Sequence, residues 1–146
     1  MTDRSPSRPQ ADLDAIAQDL PPFAMGLGMR VVSASPEEVV AEMPVTPDLA
    51  NRNGVLHGGA IMGFADNLGG TATFLNIAPD QRTTTVESKT NFLRPIRIGD
   101  VATGRCTPLH RGRTLMVWQT VVSRGDGQVA AIVTQTQMVL EWKDGA

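Results

Sequence analysis

Residues 51–73, NRNGVLHGGAIMGFADNLGGTAT, constrain the fold of this chain more than any other segment. Residues 58–76 form the one long helical pattern in the middle of a sequence whose remainder is mostly strand-like. On a helical wheel, a single apolar stripe lies within about 60° of Ile61 and consists of Phe64, Ala65, Leu68, Ala72 and Leu75. We therefore expect one face of this helix to pack on a sheet.

The opposite face of the helix is small and carries one charge. Asp66 lies about 140° from Ile61 in projection, and it is the only acidic residue between Asp48 and Asp80. A carboxylate in a Gly/Ala/Met-rich helix is costly unless it is exposed, paired or used in chemistry. The same face is suited to close approach by another backbone, because it contains the glycines Gly63, Gly69 and Gly70.

Six segments read as strands, two before the helix and four after it. They are residues 29–35, 38–45, 83–93, 101–109, 113–123 and 129–142, with a hairpin turn at 124–128. A short acidic helix is predicted at 12–20, ended by Pro21 and Pro22. These elements predict an α+β fold, in which a long central helix is wrapped by an antiparallel sheet of about five to six strands. We expect residues 1–21 to be a flexible segment with a short helix, and residues 22–146 to form the domain.

Composition excludes several classes of protein. The 146 residues fit one domain, and the net charge of −2 does not favour nucleic acid as a partner. The sequence contains neither a run long enough to cross a bilayer nor the apolar core of a secretory signal, so a cytoplasmic protein is expected. Cys106 is the only cysteine and there are two histidines, which excludes an internal disulfide and a credible zinc site.

The start of the helix resembles a known family. Asn51 is followed by His57-Gly58-Gly59, and Asp66 comes seven positions after the second glycine. Together with the element order, this pattern resembles the hotdog-fold acyl-CoA thioesterases, above all the phenylacetate-degradation type and the related hydroxybenzoyl-CoA thioesterases. The resemblance covers residues 22–142. It implies hydrolysis of an aryl or short- to medium-chain acyl-CoA to free acid and CoA, with no metal or redox cofactor.

The resemblance also implies roles for individual residues. Asp66 would be the general base or nucleophile, and the Gly58 amide would polarise the thioester carbonyl. Asn51 and His57 would position the thioester, and Thr84 would orient the attacking water. Direct attack, attack through an anhydride and attack by water all stay open.

Other positions are candidates for binding the substrate. Because Gly59 has no side chain, an acyl thioester can come close to the amides at the helix start. The acyl pocket is expected to include Met62, Phe64 or Leu68. Two arginines around a glycine in a tight turn can hold phosphates. By resemblance, CoA contacts fall at Arg94 and Pro95 and in the turn Arg111, Gly112, Arg113 and Thr114.

Helical geometry separates the two halves of the predicted site. Gly58 and Asp66 are eight residues apart, which is about 12 Å along a helix axis. A single carbonyl group cannot contact both residues of one chain. We therefore predict an obligate homodimer with two composite sites, formed by antiparallel helices across a twofold axis. The resemblance adds a dimer of dimers, a homotetramer, as a frequent assembly.

The same residues allow simpler interpretations. Asp66 could be a solvent-facing helix residue, His57 a helix cap, the two glycines a packing feature, and the Arg111–Arg113 turn a solvated hairpin. Two other functions also stay open. One is a hotdog hydratase or dehydratase acting on acyl thioesters, and the other is an acyl-CoA-binding protein that does not cleave its ligand.

Overall fold

Residues 8–143 are described by a computed structural model, so the first seven residues of the predicted flexible segment lie outside the described part. The elements in chain order are α1 (Gln10–Gln18), α2 (Pro22–Gly26), β1 (Arg30–Ala34), β2 (Val39–Pro44), a 3₁₀ turn (Pro47–Leu49), α3 (Gly58–Phe74), β3 (Gln81–Phe92), β4 (Val101–Arg111), β5 (Leu115–Ser123) and β6 (Val129–Glu141).

All six strands belong to one antiparallel sheet with the order β1-β2-β4-β5-β6-β3. The predicted α+β architecture is confirmed. Strand β3 follows the helix in sequence, yet it pairs with β6 and forms one edge of the sheet. The predicted turn at 124–128 is also present, since the Arg124 N–H donates to the Gln128 carbonyl at 2.9 Å.

Helix α3 packs its apolar stripe on one face of the sheet. Phe64 and Leu68 are fully buried there. Gly104 of β4 allows this contact, because a Cβ atom at that position would lie only 2.4 Å from Leu68 Cδ1. Nearer the C-terminal end of the helix, the Trp118 indole N–H donates to the buried Thr73 hydroxyl at 2.9 Å. These two contacts with the sheet fix the position of α3 along its axis and its rotation about that axis.

The N-terminal elements pack on the same core. Leu13 and Ala17 of α1 are buried in it. The helix predicted at 12–20 is α1, which ends at Gln18 and therefore before the two prolines rather than at them. Pro22 then begins the short helix α2, which was not predicted; proline is well suited to the first turn of a helix. The division of the chain at residue 21 stays a prediction. In the part of the chain described, no helix is long and apolar enough to cross a membrane.

Candidate active site

His57 ends the loop before α3 and caps the helix. Its Nδ1 accepts a hydrogen bond from the Gly59 N–H at 2.8 Å. This pairs one of the amides that a helix N-terminus leaves without an intrahelical acceptor. Because Nδ1 is the acceptor, the proton of a neutral His57 ring lies on Nε2. His57 is therefore a helix cap, and its role in positioning the thioester stays a prediction.

The cap leaves the Gly58 amide available. Among the described residues, no acceptor pairs with the Gly58 N–H. This N–H lies at the positive end of a 17-residue helix, where a carbonyl oxygen that gains negative charge is stabilised. Gly58 is also close to an aromatic ring, since a Cβ atom there would be 3.2 Å from two ring atoms of Phe92.

Asn51 organises the loop that leads to this amide. Its side-chain oxygen accepts hydrogen bonds from the Asn53 N–H at 2.9 Å and the Val55 N–H at 3.3 Å. The loop turns at Gly54, whose φ of 76° is the left-handed conformation that favours glycine. The side-chain NH₂ of Asn51 has no acceptor among the described residues, so it can donate to a ligand.

These residues share one groove of about 390 Å³, which we call the Gly58 groove. It is lined by Asn51, Gly58 and Ile61, together with Phe92, Arg94, Pro95 and their neighbours. The structure therefore brings Arg94 and Pro95 beside the helix N-terminus. The Arg94 guanidinium donates to the Val129 carbonyl at 2.7 Å, which ties it to the start of β6.

Asp66 lies in a different groove, of about 810 Å³, which we call the Asp66 groove. One wall comes from α3 and one from β3, and the lining includes Asp66, Gly70, Phe74, Thr83, Thr84, Thr85 and Gln137. A third wall comes from the connection between α1 and α2, through Leu20, Pro21 and Pro22. The carboxylate is exposed on the helix surface and faces this space.

Two side chains donate to the same oxygen of Asp66. The Thr85 hydroxyl donates to Oδ1 at 2.5 Å, and the Gln135 amide donates to Oδ1 at 3.3 Å. Thr84 lines the groove but is exposed and makes no hydrogen bond to Asp66. The residue in contact with the carboxylate is therefore Thr85 and not Thr84, because successive side chains of a strand point to opposite faces.

Gly63 and Gly69 do not leave room for a second helix, so that part of the prediction is wrong. Each is already packed against its own chain. A Cβ atom on Gly63 would lie 2.8 Å from the Phe23 ring of α2, and one on Gly69 would lie 2.3 Å from the Gln135 side chain. Only Gly70 is open, with nothing within 4 Å of such an atom.

The three residues expected in the acyl pocket do not lie in one place. Phe64 and Leu68 are fully buried in the core of the chain, so they do not line a groove, and the prediction is wrong for both. They belong to the stripe that packs on the sheet. Met62 is 37% exposed, and it stays a candidate for contact with an acyl chain.

The turn from Arg111 to Thr114 joins β4 to β5 at the far end of the sheet from Gly58. Arg111 is engaged there, because its guanidinium donates to the Pro36 carbonyl and the Asn76 side chain, each at 3.3 Å. It also forms an ion pair with Glu37 at 3.8 Å. Arg113 is exposed and has no acidic or hydrogen-bonding partner among the described residues.

No described part of the chain gathers three side chains of the kind that hold a metal ion. Cys106 is buried in β4, and burial raises the pKa of its thiol to about 12. Such a thiol is not ionised at neutral pH, so it is not a nucleophile.

Three polar residues that hydrogen-bond to Asp66 or to its donor Thr85 were not identified from sequence: Thr85, Gln135 and Gln137. A signal for the glutamines is present in β6, where the buried residues Ala131 and Val133 alternate with exposed or half-buried ones. Continuing that alternation places Gln135 and Gln137 on the buried face, where amides are uncommon.

Comparison with known proteins identifies the class. Residues 53–131 match the model of the family described as "Thioesterase superfamily". The 1,4-dihydroxy-2-naphthoyl-CoA hydrolase of Escherichia coli is 31% identical over 114 residues, which cover 78% of this chain and 83% of that protein.

Solved structures agree with this match. A mutant of thioesterase PA1618 from Pseudomonas aeruginosa superposes with a TM-score of 0.83 at 28% identity, covering 97% of this chain and all of that one. Thioesterase HI1161 from Haemophilus influenzae has the same TM-score at 23% identity and covers 99% of this chain and all of that one, which supports the fold.

The chain therefore belongs to the thioesterase superfamily. It has the hotdog fold that the Asn51–Asp66 pattern predicted, and it is a thioester hydrolase.

Proposed function

We propose that this protein is an acyl-CoA thioesterase, which converts an acyl-CoA and water into the free acid and CoA. The observation that carries the proposal is the pair of complementary groups on α3. One is the unpaired Gly58 N–H at the helix start, and the other is the anchored Asp66 carboxylate two turns further on. An amide for the carbonyl oxygen and a base for the nucleophile are what thioester hydrolysis requires.

In the proposed reaction, the thioester oxygen accepts a hydrogen bond from the Gly58 N–H, and the NH₂ group of Asn51, which lines the same groove, is a second donor for it. Water attacks the carbonyl carbon and passes a proton to Asp66. The carbon–sulfur bond then breaks, and the departing CoA thiolate takes up the proton. A direct attack by the Asp66 carboxylate would form an anhydride that water opens with the same products.

The proposed active form is a homodimer, alone or paired into a dimer of dimers. Gly58 and Asp66 line separate grooves of one chain, so one thioester carbonyl cannot contact both of them. Strand β3 offers a surface for pairing, because it spans 12 residues and lies at the sheet edge with β6 as its one neighbour. A long edge strand is a ready template for another strand. Antiparallel β3–β3 pairing would bring Gly58 of one copy opposite Asp66 of the other.

The CoA end of the substrate has two candidate contacts. Arg94 and Pro95 line the Gly58 groove, close to the thioester in this proposal. Arg113 is the better candidate of the two turn arginines for a phosphate, because Arg111 is already occupied by Pro36, Asn76 and Glu37. Gly112 and Thr114 would then shape the turn that presents Arg113.

The test is release of free thiol from a panel of short, medium, long and aryl acyl-CoA esters. An aryl ester comes first, because the relative from Escherichia coli is named for a naphthoyl-CoA. We expect turnover that falls by at least about 100-fold in Asp66→Asn. The matched control is Asp80→Asn, which removes the same charge from an exposed loop.

Each other result rejects part of the proposal. Full activity of Asp66→Asn removes Asp66 from the mechanism. Tight binding of acyl-CoA without thiol release favours a binding protein. Hydration of an enoyl-CoA without thiol release favours a hydratase.

A further inference from the structure

Strand β6 carries two glutamines on the face that packs under α3. Gln135 and Gln137 are both 1% exposed. Their neighbours on this face, Ala131 and Val133, are fully buried. A buried amide is costly unless its polar atoms are hydrogen-bonded, so its presence among apolar side chains needs an explanation.

The amide of Gln135 lies directly against the helix at Gly69. A Cβ atom on residue 69 would be 2.3 Å from Cδ, 2.4 Å from Nε2 and 2.5 Å from Oε1 of Gln135. No residue with a side chain fits at this position unless Gln135 moves. The close approach lets Nε2 reach Oδ1 of Asp66, one helical turn away, at 3.3 Å.

Gln135 is not fully satisfied by this contact. Its Oε1 is buried and accepts no hydrogen bond from the described residues. A methionine would fill the same space without burying an unpaired oxygen, and it would be cheaper for folding. Packing alone does not account for the glutamine, but its donation to Asp66 does.

Two branches of hydrogen bonds reach Oδ1 of Asp66. The first is the direct donation from Gln135, and the second runs through Gln137 and Thr85. Thr83 donates to Oε1 of Gln137 at 2.8 Å, and Nε2 of Gln137 donates to the Thr85 hydroxyl at 2.7 Å. The Thr85 hydroxyl therefore turns its own proton towards Oδ1 of Asp66. Every donor along this branch points towards the carboxylate, and such chains reinforce one another.

Both branches hold Oδ1 and leave Oδ2 without a donor among the described residues. One oxygen is therefore anchored and the other can face a ligand in the Asp66 groove. A carboxylate with one anchored oxygen has a fixed direction of attack or of proton transfer, which is the main requirement for a positioned base.

We propose that Gln135 is a positioning residue, which aims the Asp66 carboxylate through Oδ1 and can do so because residue 69 has no side chain. This inference rests on the proposed thioesterase function. It adds a residue from the last strand, remote in sequence from the Asn51–Asp66 segment, to the machinery of the site.

The test compares kcat and KM of Gln135→Met with those of the wild-type chain on the best acyl-CoA ester. Methionine keeps the length and packing of the side chain and removes the donor. We expect kcat to fall about 10-fold or more while KM stays within about twofold, since misdirecting a catalytic group slows the chemical step. The matched control is Gln119→Met, because Gln119 lies on β5 between buried residues and points away from α3.

A double-mutant cycle separates positioning from general damage. If Gln135 acts through Asp66, then adding Gln135→Met to Asp66→Asn leaves the residual rate unchanged. A purely structural role would lower kcat by the same factor in both backgrounds. If Gln135→Met does not fold, Gln135→Asn provides the second variant, because its shorter amide cannot reach Asp66 and the same loss of kcat is expected.

The outcomes distinguish this inference from the proposed function. Asp66→Asn with wild-type turnover rejects the function. Inactive Asp66→Asn together with a folded Gln135→Met or Gln135→Asn that keeps wild-type kcat leaves the function in place and overturns the positioning role.

Discussion

The Thr85 hydroxyl and the Asp66 carboxylate form the shortest side-chain hydrogen bond in the Asp66 groove, with 2.5 Å between Oγ1 and Oδ1. The bond joins the edge strand β3 to the middle of α3. It fixes the carboxylate relative to the strand along which we propose that a second copy pairs.

Thr85→Val should lower kcat by about 10- to 100-fold, because it removes a donor that holds Asp66. Thr85→Ser keeps the hydroxyl and should retain most of the activity. Thr84→Val should have the smaller effect, since Thr84 makes no hydrogen bond to Asp66. Steady-state kinetics of the three variants check this order, and a larger loss for Thr84→Val would favour the role that the family resemblance implies for Thr84.

Gly58→Pro should remove the amide donor while keeping the helix. Residue 58 is the first residue of α3, where proline is well tolerated, and His57 already has the extended ψ of 135° that a following proline prefers. We expect kcat to fall by about 100- to 1,000-fold, as for the loss of an oxyanion donor.

Gly58→Ala is the matched control for this change. Its methyl group meets the Phe92 ring at 3.2 Å in the same way, but its N–H remains. Equal losses in Gly58→Pro and Gly58→Ala would show that crowding, rather than the missing N–H, causes the defect.

His57→Ala should destabilise the protein by about 0.5–2 kcal/mol, because the Gly59 N–H loses its acceptor. His57→Asn offers another capping side chain and should restore most of the stability. Chemical denaturation of the three proteins gives the free energies of unfolding. An unchanged midpoint for His57→Ala would mean that the cap contributes little to the stability of the protein.

Cys106 should not react with a thiol reagent in the folded protein near pH 8, because burial holds its pKa at about 12. In denaturant the thiol returns to its ordinary value and should be labelled at once. Mass spectrometry of labelled protein checks both states. Rapid labelling of the native chain would show that β4 opens, and it would also add a background to assays of thiol release.

Much of the fold could be predicted from the sequence, because the spacing of apolar residues along a helix or strand indicates which of its faces is buried. The stripe from Ile61 to Leu75 identified the buried face of α3, and the alternating segments identified all six strands to within two residues. Helix α2 was missed, because Pro21 and Pro22 predict only the end of a helix, whereas α1 ends at Gln18 and Pro22 begins the next helix.

The site was predicted less completely, for a reason that lies in strand geometry. A shift of one position moves a side chain to the other face, so Thr84 and Thr85 cannot be distinguished without the register of β3 against β6. Gln135 was not identified because its contact with Asp66 depends on a close approach to Gly69, which lies 66 positions earlier in the sequence. The pattern of apolar and polar residues within a single helix or strand does not indicate a contact between two distant elements.

We propose that Gly58 of one copy and Asp66 of the other serve the same substrate, and complementation between two inactive variants tests this pairing. Gly58→Pro and Asp66→Asn are co-expressed with different affinity tags, and the mixed dimer is purified by both tags. The Asp66→Asn chain supplies an intact Gly58, and the Gly58→Pro chain supplies an intact Asp66. One of the two shared sites is then complete, so we predict about half of the wild-type activity per dimer from two inactive parents. A mixed dimer as inactive as its parents would contradict the shared site.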